Sequence, residues 1–287
     1  MADDRYAVLD IETRCSLDMA RKVLHLPPEA TPAELLGRLA ERRRAEGSPN
    51  PEFLKLPFHE PVAAAVLLAE PRGFSPAAPL LATEWLSWTA GESAVESFVE
   101  SLFGALCGRT YVGFNSRGFD LPLLELWASR CRIQAPMHFR PPGDTPMPSA
   151  SASAPRDRSP DRHCDLQREL ASGAPGTGSL DELCKFHGLP GKSGVSGSAV
   201  ESLALAGRLE EIHAYNVTDV LQTFLLFLHV LVRAGRLTRA AAADSCASAL
   251  ALTRAAILPR LAEGGAARAL LLDCLDGCAA APIASPS

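Results

Sequence analysis

Residues 5–12 read Arg-Tyr-Ala-Val-Leu-Asp-Ile-Glu. An apolar, β-prone run that ends in carboxylates predicts an interior strand emerging at a site. Side chains two positions apart on a strand share one face, so Asp10 and Glu12 point together. Taken alone, the plainer reading of such a pair is a solvated strand end.

Working outward, Pro61–Ala69 and Leu80–Thr89 predict two further strands that form an antiparallel meander with the first. Thr31–Glu46 predicts a helix, with Pro32 in its first turn and a basic end at Arg42–Arg44. Between Ser93 and Cys107 the apolar residues Val95, Phe98, Val99, Leu102, Phe103 and Leu106 fall at helical spacing. Thr110–Phe114 predicts a short strand and Phe119–Arg130 a helix. Residues 140–160 are rich in Pro, Ser and Arg, cannot bury a core, and predict a mobile insertion loop. Short helices are expected at Ser179–His187 and Ala199–Ala206, on either side of a Gly/Ser loop at Gly191–Ser198. A long helix runs from about Glu210 to Val232.

The rest is Ala/Leu-rich helix from Arg236 to Leu275, interrupted by Pro259 and by Gly264–Gly265, with a tail from Ala279 that should fray. The organisation read from this is a domain over 1–235, carrying the 140–160 loop, and a helical extension with its frayed tail over 236–287.

Composition narrows the class. The chain has 287 residues, 28 Lys+Arg and 33 Asp+Glu, for a formal charge of −5. With 47% hydrophobic and 21% charged residues it is globular and long enough for a sizeable core. The mild acidic excess excludes a tail-driven nucleic-acid binder but leaves room for a local basic groove. The greasiest stretch, Val220–Val232, is short and interrupted by Gln222, Thr223 and His229, so it reads as a buried helix and not a membrane span. Met1–Arg5 is polar and no signal-peptide core follows, which leads to the expectation of a cytoplasmic protein with no membrane association. The eight cysteines are scattered and read as free thiols. Cys274 and Cys278 lack a second ligand pair at zinc-site spacing.

Two more acidic segments matter. Asn115-Ser-Arg-Gly-Phe-Asp120 follows a strand and opens a helix, where either Asn115 or Asp120 also serves as an ordinary cap. Tyr215-Asn-Val-Thr-Asp219 lies in the long helix, with Tyr215 and Asp219 one turn apart on one face. Apolar neighbours Val217, Val220, Leu221, Phe224 and Leu225 bury that helix, so a carboxylate at its edge needs a partner. Carboxylates from an early strand, a strand-to-helix junction and a late helix can converge. At about 4 Å and an effective dielectric near 20, each like-charge pair costs on the order of 4 kcal/mol. Divalent cations would neutralise the cluster, and an all-oxygen donor set favours Mg²⁺ or Mn²⁺ over Zn²⁺.

In this order, DIET (10–13), NSRGFD (115–120) and YNVTD (215–219) resemble the three motifs of the DEDD 3′–5′ exonucleases. Tyr215 is similar to the mark of their tyrosine subgroup. More narrowly, the chain resembles predicted 3′–5′ exonucleases related to the proofreading domain of B-family DNA polymerases. FHEPVAAAV (58–66), GESAVESFVESL (91–102), VGFNSRGFDLPLL (112–124), CDL (164–166) and LPGKSGVSGSAV (189–200) extend the resemblance over roughly Tyr6 to His229. It implies an α/β, ribonuclease H-like fold: a mixed β-sheet flanked by helices.

It also implies that Asp10, Glu12, Asp120 and Asp219 ligate two divalent cations, Mg²⁺ or Mn²⁺, in a two-metal hydrolysis that releases nucleoside 5′-monophosphates. Tyr215 joins them as the group that positions water, since an unperturbed phenol is protonated at neutral pH. The implied substrate is a single-stranded nucleic-acid 3′ end, DNA in preference to RNA. Thr13, Asn115, Phe119 and Lys192 are the candidate substrate contacts. Asn115 reads equally as a loop cap. Lys192, in GKSGVSGS, reads either as a phosphate contact or as part of a flexible surface loop. Asp165 reads as a helix cap or as a supporting carboxylate, and His163, His187 and His213 as surface or core histidines. Arg14, Arg109, Arg117 and Arg140 are candidates to line a backbone groove. The rival readings are an exoribonuclease and a non-catalytic nucleic-acid-binding module on the same fold.

Overall fold

The strand predicted at 5–12 forms the middle of a mixed sheet. The computed structural model describes residues 5–139, 163–171, 178–192 and 197–284. The loop expected at 140–160 lies outside the described residues.

Strand β1 (Tyr6–Cys15) leads through α1 (Leu17–Leu24) and α2 (Pro32–Ala45) into β2 (His59–Pro71) and β3 (Leu80–Thr89). Next come α3 (Val95–Leu106), β4 (Thr110–Gly113), α4 (Asp120–Cys131) and the single turn α5 (Pro136–Phe139). Then follow β5 (His163–Asp165), α6 (Leu166–Ala171), α7 (Leu180–Phe186), α8 (Val200–Leu205), α9 (Leu209–Arg233), α10 (Arg239–Ala256) and α11 (Ala266–Ala279). The strand order is β3-β2-β1-β4-β5. β1–β2 and β2–β3 are antiparallel, the expected meander, whereas β1–β4 and β4–β5 are parallel. Parallel neighbours need crossovers, and α3 and α4 lie on those connections. This is a mixed β-sheet flanked by helices, the α/β class expected.

Alternation along β1 sorts its side chains. Ala7, Leu9 and Ile11 join Ala64, Val66 and Leu68 against Phe98 and Leu102 of α3 and Leu124 and Trp127 of α4. Tyr6 and Val8 join Ala65 and Leu67 against Val217, Val220, Leu221 and Phe224 of α9. A sheet covered on both faces explains the unbroken apolar run of β2, buried from Val62 to Ala69. It also sets the direction of the acids: Asp10 and Glu12 continue the Tyr6–Val8 face, toward α9.

α9 has the length and apolarity of a membrane span, but 89% of that window is buried inside the protein. The sheet covers one side, while α10 and α11 contribute Ala242, Cys246, Leu271 and Cys274 to the same core. The helices after residue 236 therefore pack against the sheet and its central helix. α10 also closes the free edge of β3. Ser245 Oγ accepts from the Leu80 amide (2.8 Å), Ser248 Oγ accepts from the Ala82 amide (3.2 Å), and the Trp85 indole donates to Thr253 Oγ1 (3.1 Å). Edge amides that would stay unpaired are thus satisfied.

The tail departs from expectation. Fraying was predicted from Ala279, yet a 3₁₀ turn forms at Pro282–Ala284, with Ala281 and Ile283 buried in the main core. Two apolar side chains with a place to pack outweigh the usual mobility of a terminus.

Candidate active site

The end of β1 and the middle of α9 meet as the alternation requires. Asp10, Glu12 and Asp219 each present a carboxylate oxygen within 4.8 Å of the others. Asp219 is 4% exposed, and the other two are half-buried at the rim. Asp120 joins from the first turn of α4, where its Oδ1 accepts the Ile11 amide at 3.0 Å. The predicted convergence therefore takes a specific form. Three carboxylates share ligand distance, and Asp120 is pinned beside them by the backbone of the strand that carries Asp10 and Glu12.

Crowding is visible in their acidities. Burial first, then the Asp219 charge, push Asp10 up to about 7. Burial and the Asp10 charge raise Glu12 and Asp120 well above the usual carboxylate range. Burial raises Asp219 too, against the opposing pull of Lys192. Such a cluster calls for positive charge.

The chain supplies one such charge. Lys192 Nζ lies 2.9 Å from Asp219 Oδ2, donates to the Tyr215 hydroxyl, and sits 4.7 Å from the centroid of that ring. Burial disfavours the ammonium, but the Asp219 carboxylate outweighs this and raises its pKa. Burial, followed by the neighbouring carboxylates, raises the Tyr215 phenol far above its ordinary value. Tyr215 is thus a hydroxyl that its surroundings keep protonated. Asn216, the next residue on α9, donates from Nδ2 to Asp10 Oδ2 at 2.6 Å and fixes that carboxylate.

The other predicted contacts separate. Asn115 is exposed at φ +54°, at the start of the turn into α4. Its carbonyl accepts the amides of Gly118 (3.0 Å) and Phe119 (3.1 Å). Asp165 holds this turn: its carboxylate accepts the amides of Asn115 (2.9 Å) and Arg117 (3.0 Å), and also that of Gln167 (3.2 Å) at the start of α6. It is both cap and clamp. His163 is buried beneath, with Nε2 2.9 Å from Ser116 Oγ.

Thr13 follows an irregularity in the β1–β2 register after Glu12, and its hydroxyl meets His59 Nδ1 at 2.8 Å. His59 packs edge-on to Phe119 (4.9 Å between centroids), and the exposed Phe53 lies 6.0 Å from Phe119. Thr13 and Phe119 thus belong to an aromatic group beside the carboxylates.

At Gly191 and Lys192 the structure departs from the flexible surface-loop reading. Gly191 and Lys192 are held by side chains from α7 and α9, and Gly197–Ala199 forms a 3₁₀ turn. Residues 193–196 lie outside the described residues. Three of the arginines proposed for a groove are otherwise engaged. Arg14 pairs with Glu60 (3.2 Å), and Arg117 donates to the His163 carbonyl (2.7 Å). Arg109 pairs with Glu70 (3.3 Å) at the opposite end of the sheet, beside the start of β1. Arg140 lies outside the described residues.

Sequence reading missed Asn216, His59 and Phe53. Asn216 carried a usable signal: a polar residue on a helix buried all round must find a polar partner.

The donor set suits a hard divalent cation. All its groups are carboxylates, and Asp219 Oδ1 is buried with no hydrogen-bond partner among the described residues, leaving a lone pair for a ligand. Among those residues, this is the His, Cys, Asp or Glu group with ligand atoms gathered closely enough to hold an ion. Cys274 and Cys278 approach to 3.9 Å on α11, with no third ligand gathered around them among the described residues.

No curated protein matches the chain. A family model described as a predicted 3′–5′ exonuclease related to the exonuclease domain of PolB matches residues 51–260. That span contains Asp120, Lys192, Tyr215 and Asp219, while Asp10 and Glu12 precede it and join through the geometry of β1. The match covers well over half of the chain, which belongs to this family of predicted 3′–5′ exonucleases.

Proposed function

We propose that the protein is a metal-dependent exonuclease that hydrolyses the terminal phosphodiester of a single-stranded DNA 3′ end and releases nucleoside 5′-monophosphates. One observation carries the reading: the clustered oxygens of Asp10, Glu12 and Asp219, with Asp120 fixed alongside, in a chain of exonuclease family.

Asp10, Glu12, Asp120 and Asp219 would hold two divalent cations, Mg²⁺ or Mn²⁺. When bound, such cations stabilise charge that develops on the phosphate. Around them, Asn216 fixes the rotamer of Asp10, and the Ile11 amide fixes that of Asp120. The protonated Tyr215 hydroxyl orients the attacking water, and the Lys192 ammonium adds positive charge at the same point. The aromatic faces of Phe119, His59 and Phe53 offer a stacking surface for an unpaired base, which suits a strand recognised without sequence preference.

The test is digestion of matched DNA and RNA oligonucleotides, labelled so that both ends can be followed, with Mg²⁺, Mn²⁺ or EDTA. The expected result is stepwise shortening of DNA from the 3′ end, stopped by EDTA and by Asp10→Ala or Asp219→Ala. Unchanged digestion by either variant would refute the assignment. Faster digestion of RNA would make the enzyme an exoribonuclease.

A further inference from the structure

Residues 188–192, Gly-Leu-Pro-Gly-Lys, reach the carboxylate cluster as a strap held from three sides. From α7, the Cys184 carbonyl accepts the Leu189 amide (2.9 Å), and Asp181 Oδ1 accepts the Lys192 amide (2.7 Å). Gly191 stands at φ +74°, and a Cβ there would lie 2.5 Å from Asp181 Oδ1, so only glycine fits. From α9, Gln222 Nε2 donates to the Gly191 carbonyl at 2.9 Å, and Gln222 is 1% exposed. From α11, Gly277 forms a notch that receives Pro190, where a Cβ on Gly277 would stand 2.8 Å from the Pro190 Cβ.

Lys192 ends this strap. A lysine ammonium rides on a flexible four-carbon stem and finds one place only if its backbone is fixed. Gln222 lies three residues after Asp219 and seven after Tyr215, so one stripe of α9 carries both the site and the group that holds the strap. α11 lies beyond residue 260, where the family match ends.

We propose that Gln222 and the Gly277 notch of α11 are positioning elements for Lys192, so that the C-terminal helix takes part in catalysis through the strap. The proposal rests on the exonuclease reading for its kinetic consequence, but not for its structural one.

Two measurements on the full chain separate these. The first is a double-mutant cycle on kcat and KM, using 3′-end digestion with Mn²⁺. Gln222→Leu should lower kcat about ten-fold while KM changes little, because a displaced ammonium costs transition-state stabilisation more than binding. In a Lys192→Ala background the same substitution should change kcat by less than about two-fold. An equal loss in both backgrounds would overturn the proposal.

The second needs no nuclease activity. The rate at which an amine-reactive ester labels Lys192 is followed by mass spectrometry, with the exposed Lys185 as internal reference. Labelling should speed up in Gln222→Leu and in Gly277→Ala, whose added methyl group presses on Pro190. Unchanged protection of Lys192 in both would overturn the positioning role. Should Gln222→Leu fail to fold, Gly277→Ala carries both measurements. A wild-type chain that cuts neither DNA nor RNA yet shows the labelling response would sink the exonuclease reading and uphold the strap.

Discussion

Lys192 Nζ lies 2.9 Å from Asp219 Oδ2 and donates to the Tyr215 hydroxyl, one turn earlier on α9. A cation from one loop thus sits among acids delivered by a strand and a helix, and it takes up some of the repulsion they create. Removing it should be costly. Lys192→Ala is expected to lower kcat on the order of a hundred-fold, a typical loss for one preorganised charge. Lys192→Arg keeps the charge but not the compact geometry and should restore only part of the rate. Steady-state digestion of a labelled oligonucleotide checks both.

Tyr215→Phe removes the hydroxyl and keeps the ring. The expected loss in kcat is on the order of ten- to a hundred-fold, from poorer orientation of the nucleophile. Because the phenol is raised far above its ordinary value, the wild-type pH–rate profile should show no limb belonging to tyrosine. A tyrosine limb near neutral pH that vanishes in Tyr215→Phe would make the residue a base.

Cation binding should be visible in stability. A ligand at about 100 times its Kd adds about 2.7 kcal/mol, so Mn²⁺ or Mg²⁺ should raise Tm by several degrees over an EDTA control. Asp10→Asn and Asp219→Asn should abolish the rise. A full response in these variants would place the cation elsewhere.

As pH falls, the buried histidines and the raised carboxylates of the cluster pull stability in opposite directions. Burial pushes His163 down to about 3 and His213 down to about 4, against 6.5 when free. At these two residues the unfolded chain binds more protons between those values, so their contribution to stability is full above pH 6.5 and is lost as pH drops through the window. Each such group contributes a slope of up to about 1.4 kcal/mol per pH unit. Because Asp10, Glu12, Asp120 and Asp219 act in the opposite sense, the histidine share is read as a difference: in urea unfolding from pH 7.5 to 5, His163→Asn should gain stability relative to the wild type as pH falls.

Asp165 tests the turn that carries Asp120. Its carboxylate accepts three backbone amides. Asp165→Ala leaves three partly buried amides without their acceptor and should cost roughly 3 kcal/mol in urea unfolding. Activity should fall further than stability alone explains, because Phe119 and Asp120 follow the same turn.

Much of this was legible in the chain. The meander, the helix at Val95–Leu106 and the long helix follow from apolar periodicity, which burial in one core enforces. Asp10, Glu12 and Asp219 were legible because i, i+2 on a strand and i, i+4 on a helix fix which residues face together. Lys192 was legible as a candidate phosphate contact, but its place among the acids was not, since Gly and Ser around it also read as a loop. Its direction depends on Asp181, Gln222 and Gly277, and such distant contacts leave no local pattern. His59 and Phe53 were hidden for the same reason, as partners of Phe119 across the fold. The packing of α10 on β3 was equally silent: Ser245 and Ser248 look like ordinary residues of an alanine-rich helix.

Those two serines bear on how the chain should be handled. They occupy the amides of Leu80 and Ala82, which would otherwise offer a ready template to any passing extended peptide. A truncation after residue 235 would uncap that border, and the shortened protein should oligomerise or precipitate through it. Expression trials aimed at a minimal nuclease should therefore retain the helices beyond it.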